Sequence, residues 1–116
     1  MPKAPLSKSY MPRRGDIAWV NLDPTAGHEQ AHQRPVLVLS PDAFNKKIGL
    51  ALVAPITSRG RGHGFEVVLA GTKTMGAVLC QQVRTIDYQT RGVKFLEQAP
   101  PAIVADVLAK VRVLVS

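Results

Sequence analysis

Pro100–Leu114 reads PPAIVADVLAKVRVL, the one long stretch of this 116-residue chain with a helical period. Its apolar residues Ile103, Val104, Val107, Leu108, Val111 and Leu114 fall three and four apart, which places them on one face of an amphipathic helix. Pro100 and Pro101 suit its first turn, where a missing N–H costs nothing. Upstream the period shortens. Val93–Glu97, Phe65–Ala70 and Ala77–Ile86 read as strands, the last bent in its middle. Gly49–Thr57 (GLALVAPIT) is another, and Pro55 within it demands an edge or a bulge. Ser40 is expected to cap a short helical turn, with Pro41 at its first position and Gly49 closing it. Arg34–Ser40 (RPVLVLS) is a β-branched run in which Pro35 keeps Arg34 extended. Gly15–Leu22 (GDIAWVNL) is bounded by Gly15 and by the Asp23–Pro24 turn signal. Many short strands and a single terminal helix predict a mainly β fold, a small and strongly curved barrel capped by that helix.

The composition suits one domain. An apolar fraction of 46% and a charged fraction of 20% are ordinary for a folded protein. A chain this short leaves much surface exposed, so burial in a homodimer would add stability. Fifteen Lys and Arg against eight Asp and Glu give a formal charge of +7, which attracts polyanions, nucleic acid foremost. Lys3, Lys8, Arg13 and Arg14 lie ahead of the first acid. Residues 1–13 are therefore read as a flexible basic arm and 14–116 as the folded domain. Cys80 is the single cysteine, so no intrachain disulfide can form and a reducing cytoplasm is expected. No run approaches membrane-spanning length, and no membrane partner is expected.

Residues Asp23–Gln33 form a loop long enough to carry function. Within it, His28-Glu29-Gln30-Ala31-His32 matches the zinc-protease pattern, which requires both histidines on one helix face. Only about six residues separate Gly27 from the Arg34–Pro35 pair, half the usual helix length, so no metal site is expected. As a loop mouth the stretch gathers a carboxylate (Glu29), two imidazoles (His28, His32) and a guanidinium (Arg34). RNA cleavage by its own 2′-hydroxyl needs a base, a stabiliser of the phosphorane and help for the departing 5′-oxygen. It needs no metal or cofactor to supply the nucleophile, which is already attached to the substrate. Glu29 could be the base, and Arg34 suits phosphoryl oxygens. A solvated loop with a surface ion pair fits the spacing equally well. Thr57 and Ser58, at a strand end, could bond phosphate or simply end the strand. The Arg59/Arg61/His63 loop could track an RNA backbone or move freely in solvent. Trp19 is expected in core or interface packing ahead of base stacking, and Cys80 as a buried small hydrophobe.

The order GDIAWVNLDPTAGHEQAHQRPVLVLSP, GLALVAPITS, FEVVL and GAVLCQQVRTID resembles the MazF/PemK family of toxin–antitoxin ribonucleases, from about Arg14 to the C-terminus. The resemblance implies an SH3-like, PemK/CcdB-like barrel with a C-terminal helix, acting as a homodimer. It implies metal-independent cleavage of single-stranded RNA to a 2′,3′-cyclic phosphate and a 5′-hydroxyl. It also implies neutralisation by a cognate antitoxin with an acidic, disordered tail. Carried over by position, the catalytic arginine falls on Arg34, the loop glutamate on Glu29 and the strand-end threonine on Thr57. Gln82 and Arg84 match a segment associated with substrate contact. His28, Gln30, Ser58, Arg59 and Arg61 complete the expected RNA-contacting set. Two residues depart from the pattern: His28 stands where relatives often have a small polar residue, and Gln81 replaces a usual acid. A non-catalytic small-barrel module would share the basic surface, and same-fold poisons of a topoisomerase exist. The RPVLVLS strand and the loop glutamate favour the ribonuclease.

Overall fold

The computed structural model describes residues 10–22 and 33–116. In chain order the elements are β1 (Asp16–Asn21), β2 (Gln33–Val38), α1 (Asp42–Ile48), β3 (Ala51–Thr57), β4 (Glu66–Val68), β5 (Ala77–Leu79), β6 (Arg84–Ile86), α2 (Tyr88–Arg91), β7 (Val93–Gln98) and α3 (Pro101–Leu114). The strands form one antiparallel sheet in the order β4-β5-β3-β2-β1-β7, with β6 also on β3. The expected mainly β fold with a terminal helix is present. The sheet is not closed by backbone pairing: β4 and β7 end it without bonding to one another. The expected bend in Ala77–Ile86 is a 3-10 turn at Cys80–Gln82, which separates β5 from β6.

Pro55 lies inside the sheet, not on an edge strand, and faces Val36 of β2 in regular register. Its other flank explains the tolerance. There β3 pairs with β6 over Ala51–Val53 and with β5 over Ile56–Thr57, leaving Ala54 and Pro55 between the two ladders. A residue without an N–H sits where the neighbour changes.

Both faces of the sheet are buried, which is why RPVLVLS runs apolar without alternating. Ile17, Leu37, Ala54 and Ile56 join Val107 of α3 in one core, with Ile103, Val104, Leu108 and Val111 packed against it. Ala18, Val20, Val36, Val38 and Val53 point the other way, towards Tyr88, Ile86 and Val93. Tyr10 and Met11 pack on this second core and Pro12 is buried. The chain is therefore packed from Tyr10 onward, ahead of the boundary expected at Arg14.

Ser40 does not cap α1. The cap position belongs to Pro41, with no side-chain hydrogen bond, while Gly49 closes the helix in the left-handed conformation as expected. The Ser40 hydroxyl instead donates to Asn45 Oδ1 and accepts from the Leu52 N–H at 2.8 Å. Asn45, fully buried, donates to the Pro12 carbonyl at 2.8 Å and the Ser40 carbonyl at 3.2 Å. One amide thus ties the N-terminal segment, α1 and β3 together. Asn45→Ala leaves the Pro12 carbonyl and the Ser40 hydroxyl without this buried partner, and is expected to cost about 3 kcal/mol in urea unfolding.

Candidate functional site

The face that α3 covers around Ile17 and Leu37 continues to Trp19 and Pro35, which are only half-buried. There the strand ends open into a groove of about 730 Å³. Trp19, Pro35, Ile56 and Leu96 give it an apolar lining; Arg34, Thr57, Ser58, Arg59 and Lys73 give it polar groups. Three cations face one carboxylate, Glu97, so the groove suits a polyanion with flat apolar parts.

The sheet register places the two central candidates. Val36 stands opposite Pro55; two residues further along each strand, the same antiparallel count sets Arg34 opposite Thr57, on the Val20 and Val36 side of the sheet and at the strand ends, across from the Trp19 and Pro35 side. Both line the groove. Arg34 is exposed. Thr57 Oγ1 accepts the Arg59 N–H at 3.1 Å, which folds the chain after β3 back over the strand end. Gly76 packs directly on this point: a Cβ there would lie 2.3 Å from the Thr57 carbonyl oxygen.

Trp19 is not a core residue. Its indole N–H donates to Gln33 Oε1 at 2.8 Å, fixing the ring along the groove. The Ser58–Gly64 loop is also held, through its backbone. Glu66 Oε1 accepts from Arg61 N at 2.7 Å and Gly62 N at 2.8 Å, and His63 Nε2 lies 3.2 Å from Glu66 Oε2. Gln81 reaches His63 Nε2 at 3.4 Å.

Arg34, Thr57, Ser58 and Arg59 therefore line one groove, while Arg61, Gln82 and Arg84 are exposed outside its lining. Arg84 pairs with Val53, about 13 Å along β3 from Thr57 at the usual rise per residue. Glu29, His28, Gln30 and His32 lie outside the described residues, and so does the zinc-protease pattern. Among the described residues no three His, Cys, Asp or Glu side chains gather as a cation site. Cys80 is buried, and burial pushes its thiol up, as fits a packing role.

Sequence reasoning missed the far wall. Lys73, Thr74 and Met75 come from the turn between β4 and β5, and Glu97 from β7. The pair of glycines bracketing GTKTMG, both at positive φ, was the available signal for an ordered turn. Glu97 accepts from Lys73 N at 3.0 Å and from Thr74 N and Oγ1, each at 2.7 Å. Burial would raise its carboxyl, but these hydrogen bonds outweigh burial and hold it below the usual carboxylate range. A depressed folded-state pKa stabilises the fold above the unfolded value, and that contribution is lost as the pH falls through the folded one.

Fold and groove define a small, basic β domain that presents an aromatic ring, three hydroxyls and three cations around one groove. Residues 13–115 match the model of the PemK-like, MazF-like toxin of type II toxin–antitoxin systems, and the chain belongs to that family. It is 42% identical over 106 residues to the endoribonuclease toxin MazF of Escherichia coli (strain K12), an alignment covering 91% of this chain and 96% of that one. The crystal structure of MazF from Deinococcus radiodurans superposes with a TM-score of 0.82 at 42% identity, over 91% of this chain and 97% of that one. The MazE–MazF structure from the same organism gives 0.80 at 35% identity, over 92% and 97%.

Proposed function

We propose that this chain is a metal-independent endoribonuclease toxin that cuts single-stranded RNA, mRNA above all, at a short recognition sequence. The observation that carries the proposal is that Arg34 and Thr57 both line one basic groove beside Trp19. In the reaction the 2′-oxygen forms a bond to phosphorus as the bond to the 5′-oxygen breaks. The products are a 2′,3′-cyclic phosphate and a 5′-hydroxyl. Arg34 neutralises the developing phosphorane charge, Thr57 holds a phosphoryl oxygen, Glu29 takes the 2′-proton, and the departing 5′-oxygen takes its proton from water. His28 supplements proton transfer near pH 6.5. Gln30, Ser58, Arg59, Arg61, Gln82 and Arg84 contact the RNA on either side of the cut. Family membership and the name of the E. coli relative support this reading.

The finer architecture follows the same line. The curved sheet is an SH3-like barrel, the domain acts as a homodimer in the cytoplasm, and the basic residues of the N-terminal arm add phosphate contacts. A cognate antitoxin with an acidic tail competes for the cationic groove. The MazE–MazF structure supports the pairing. No helix among the described residues is long and apolar enough to cross a membrane.

Trp19 offers a stacking surface. Trp19→Ala is expected to weaken RNA binding about tenfold, from the loss of one base–aromatic stack, and fluorescence anisotropy reads it. Activity is tested by incubating the chain with a long single-stranded RNA in excess EDTA and sequencing the product ends. Discrete cuts ending in cyclic phosphate are expected. Intact RNA that is nevertheless bound would make the chain a binding module and overturn the proposal.

A further inference from the structure

Glu97 stands in no expected set of site residues, yet it joins the two ends of the open sheet. It lies on β7, the strand at one end of the pairing order. The three groups it accepts from, Lys73 N, Thr74 N and Thr74 Oγ1, lie in the turn that links β4 and β5 at the other end. The ladders leave these ends unpaired, and one carboxylate spans the gap.

Gly76 anchors one end of the turn on the Thr57 backbone, but few other hydrogen bonds among the described residues hold its middle. β4 and β5 are three residues each. Their ladder is extended by the Leu69 N–H to Gly76 carbonyl bond at 2.9 Å, and within the turn the Thr72 hydroxyl donates to the Thr74 carbonyl. A ladder so short leaves its connecting turn free to splay unless a side chain fixes it. Three hydrogen bonds to an ionised acceptor are the stronger kind. They fix the backbone at Lys73 and Thr74, and so decide where the exposed Lys73 and Met75 side chains stand on the groove's far wall.

We propose that Glu97 is a positioning residue for RNA binding, acting through the β4–β5 turn to set Lys73 against a phosphate across the groove from Arg34 and Thr57. The inference rests on the RNA-cleaving reading of this groove. It also makes an unusual prediction of sign. Removing a negative charge from an RNA groove should, on electrostatics alone, tighten binding. If Glu97 acts by holding the turn, the same removal loosens it.

The test is Glu97→Gln, with Lys73→Ala and the double variant, assayed for KM on a single-stranded RNA across a range of salt. Glu97→Gln is expected to raise KM about five- to tenfold and change kcat much less. The slope of log K against log salt should fall by about 0.7, the loss of one phosphate contact on a single strand. Lys73→Ala should do the same, and the double variant should be no worse than the more severe single one. Thr74→Val, which keeps the carboxylate and removes one donor, is expected to raise KM about two- to threefold, and it serves should Glu97→Gln fail to fold. Tighter or unchanged binding by Glu97→Gln, or additive effects of the two substitutions, would overturn the proposal. A wild-type chain that neither binds nor cuts RNA would overturn the reading of the groove itself.

Discussion

Arg34→Ala is expected to lower kcat on single-stranded RNA by about 10²–10³-fold, the range for removing one preorganised stabiliser of transition-state charge. Attack by the 2′-oxygen puts a second negative charge on the phosphorane, and the proposed mechanism answers it with Arg34, on the strand beside Thr57. A planar fork can bond two phosphoryl oxygens at once, whereas an ammonium offers a point charge. Arg34→Lys is therefore expected to restore less than a tenth of the lost rate. Arg34 is exposed at the start of β2, so the variant should melt close to wild type, separating chemistry from folding. Single-turnover cleavage reads the effect, and an Arg34→Ala variant within tenfold of wild type would remove Arg34 from the reaction.

The largest effect on stability is expected at Gly76, which touches the same site from behind. Its φ is +129°, a region that side chains avoid, and an added Cβ would lie 2.3 Å from the Thr57 carbonyl oxygen and 3.0 Å from its carbon. The obstacle is backbone and cannot swing aside. Either the β4–β5 turn lifts off β3 or the end of β3 shifts, and Ala77↔Thr57 pairing is lost in both cases. Strain and clash together should cost about 3–4 kcal/mol, a fall in Tm of roughly 15 °C or more. Gly62→Ala is the control: its φ is +79° but nothing lies within 4 Å, so only about 1 kcal/mol is expected. Thermal unfolding of the two variants side by side distinguishes them. If Gly76→Ala melts no lower than Gly62→Ala, the close approach to Thr57 is not a constraint. Catalysis by Gly76→Ala, measured well below its Tm, should also fall, because the alanine displaces Thr57.

The fold was legible where one residue type carries one physical demand. The terminal helix showed itself because Ile103, Val104, Val107, Leu108 and Val111 share a face, and they are the residues that pack on the core. Gly49 closes α1 because a left-handed end favours glycine. Local chemistry misled where a distant partner won. Ser40 has the right type for a cap, but Asn45 and the Leu52 N–H compete successfully for its hydroxyl. α2 carried a usable signal, Asp87 capping Thr90 with Gly92 closing, that its four-residue length hid. The Arg34–Thr57 side of the groove was legible because it lies on strands named by motif. Its opposite wall was not, since Glu97 meets Thr74 across 23 residues and no period or spacing announces such a contact. Trp19 sits in a strand like any core residue, and only the end of α3's coverage leaves it on the groove.

The most direct measurement is cleavage of an oligonucleotide carrying a single 2′-deoxy nucleotide 5′ to the phosphate that the mapping experiment shows to be cut. The account predicts that this strand binds within about twofold of its all-ribose parent, since the charge contacts are unchanged, and is not cleaved at that position. Cutting of the deoxy strand, or a 5′-phosphate on the product of the ribose strand, would show that the nucleophile is not the neighbouring 2′-oxygen and would contradict the account.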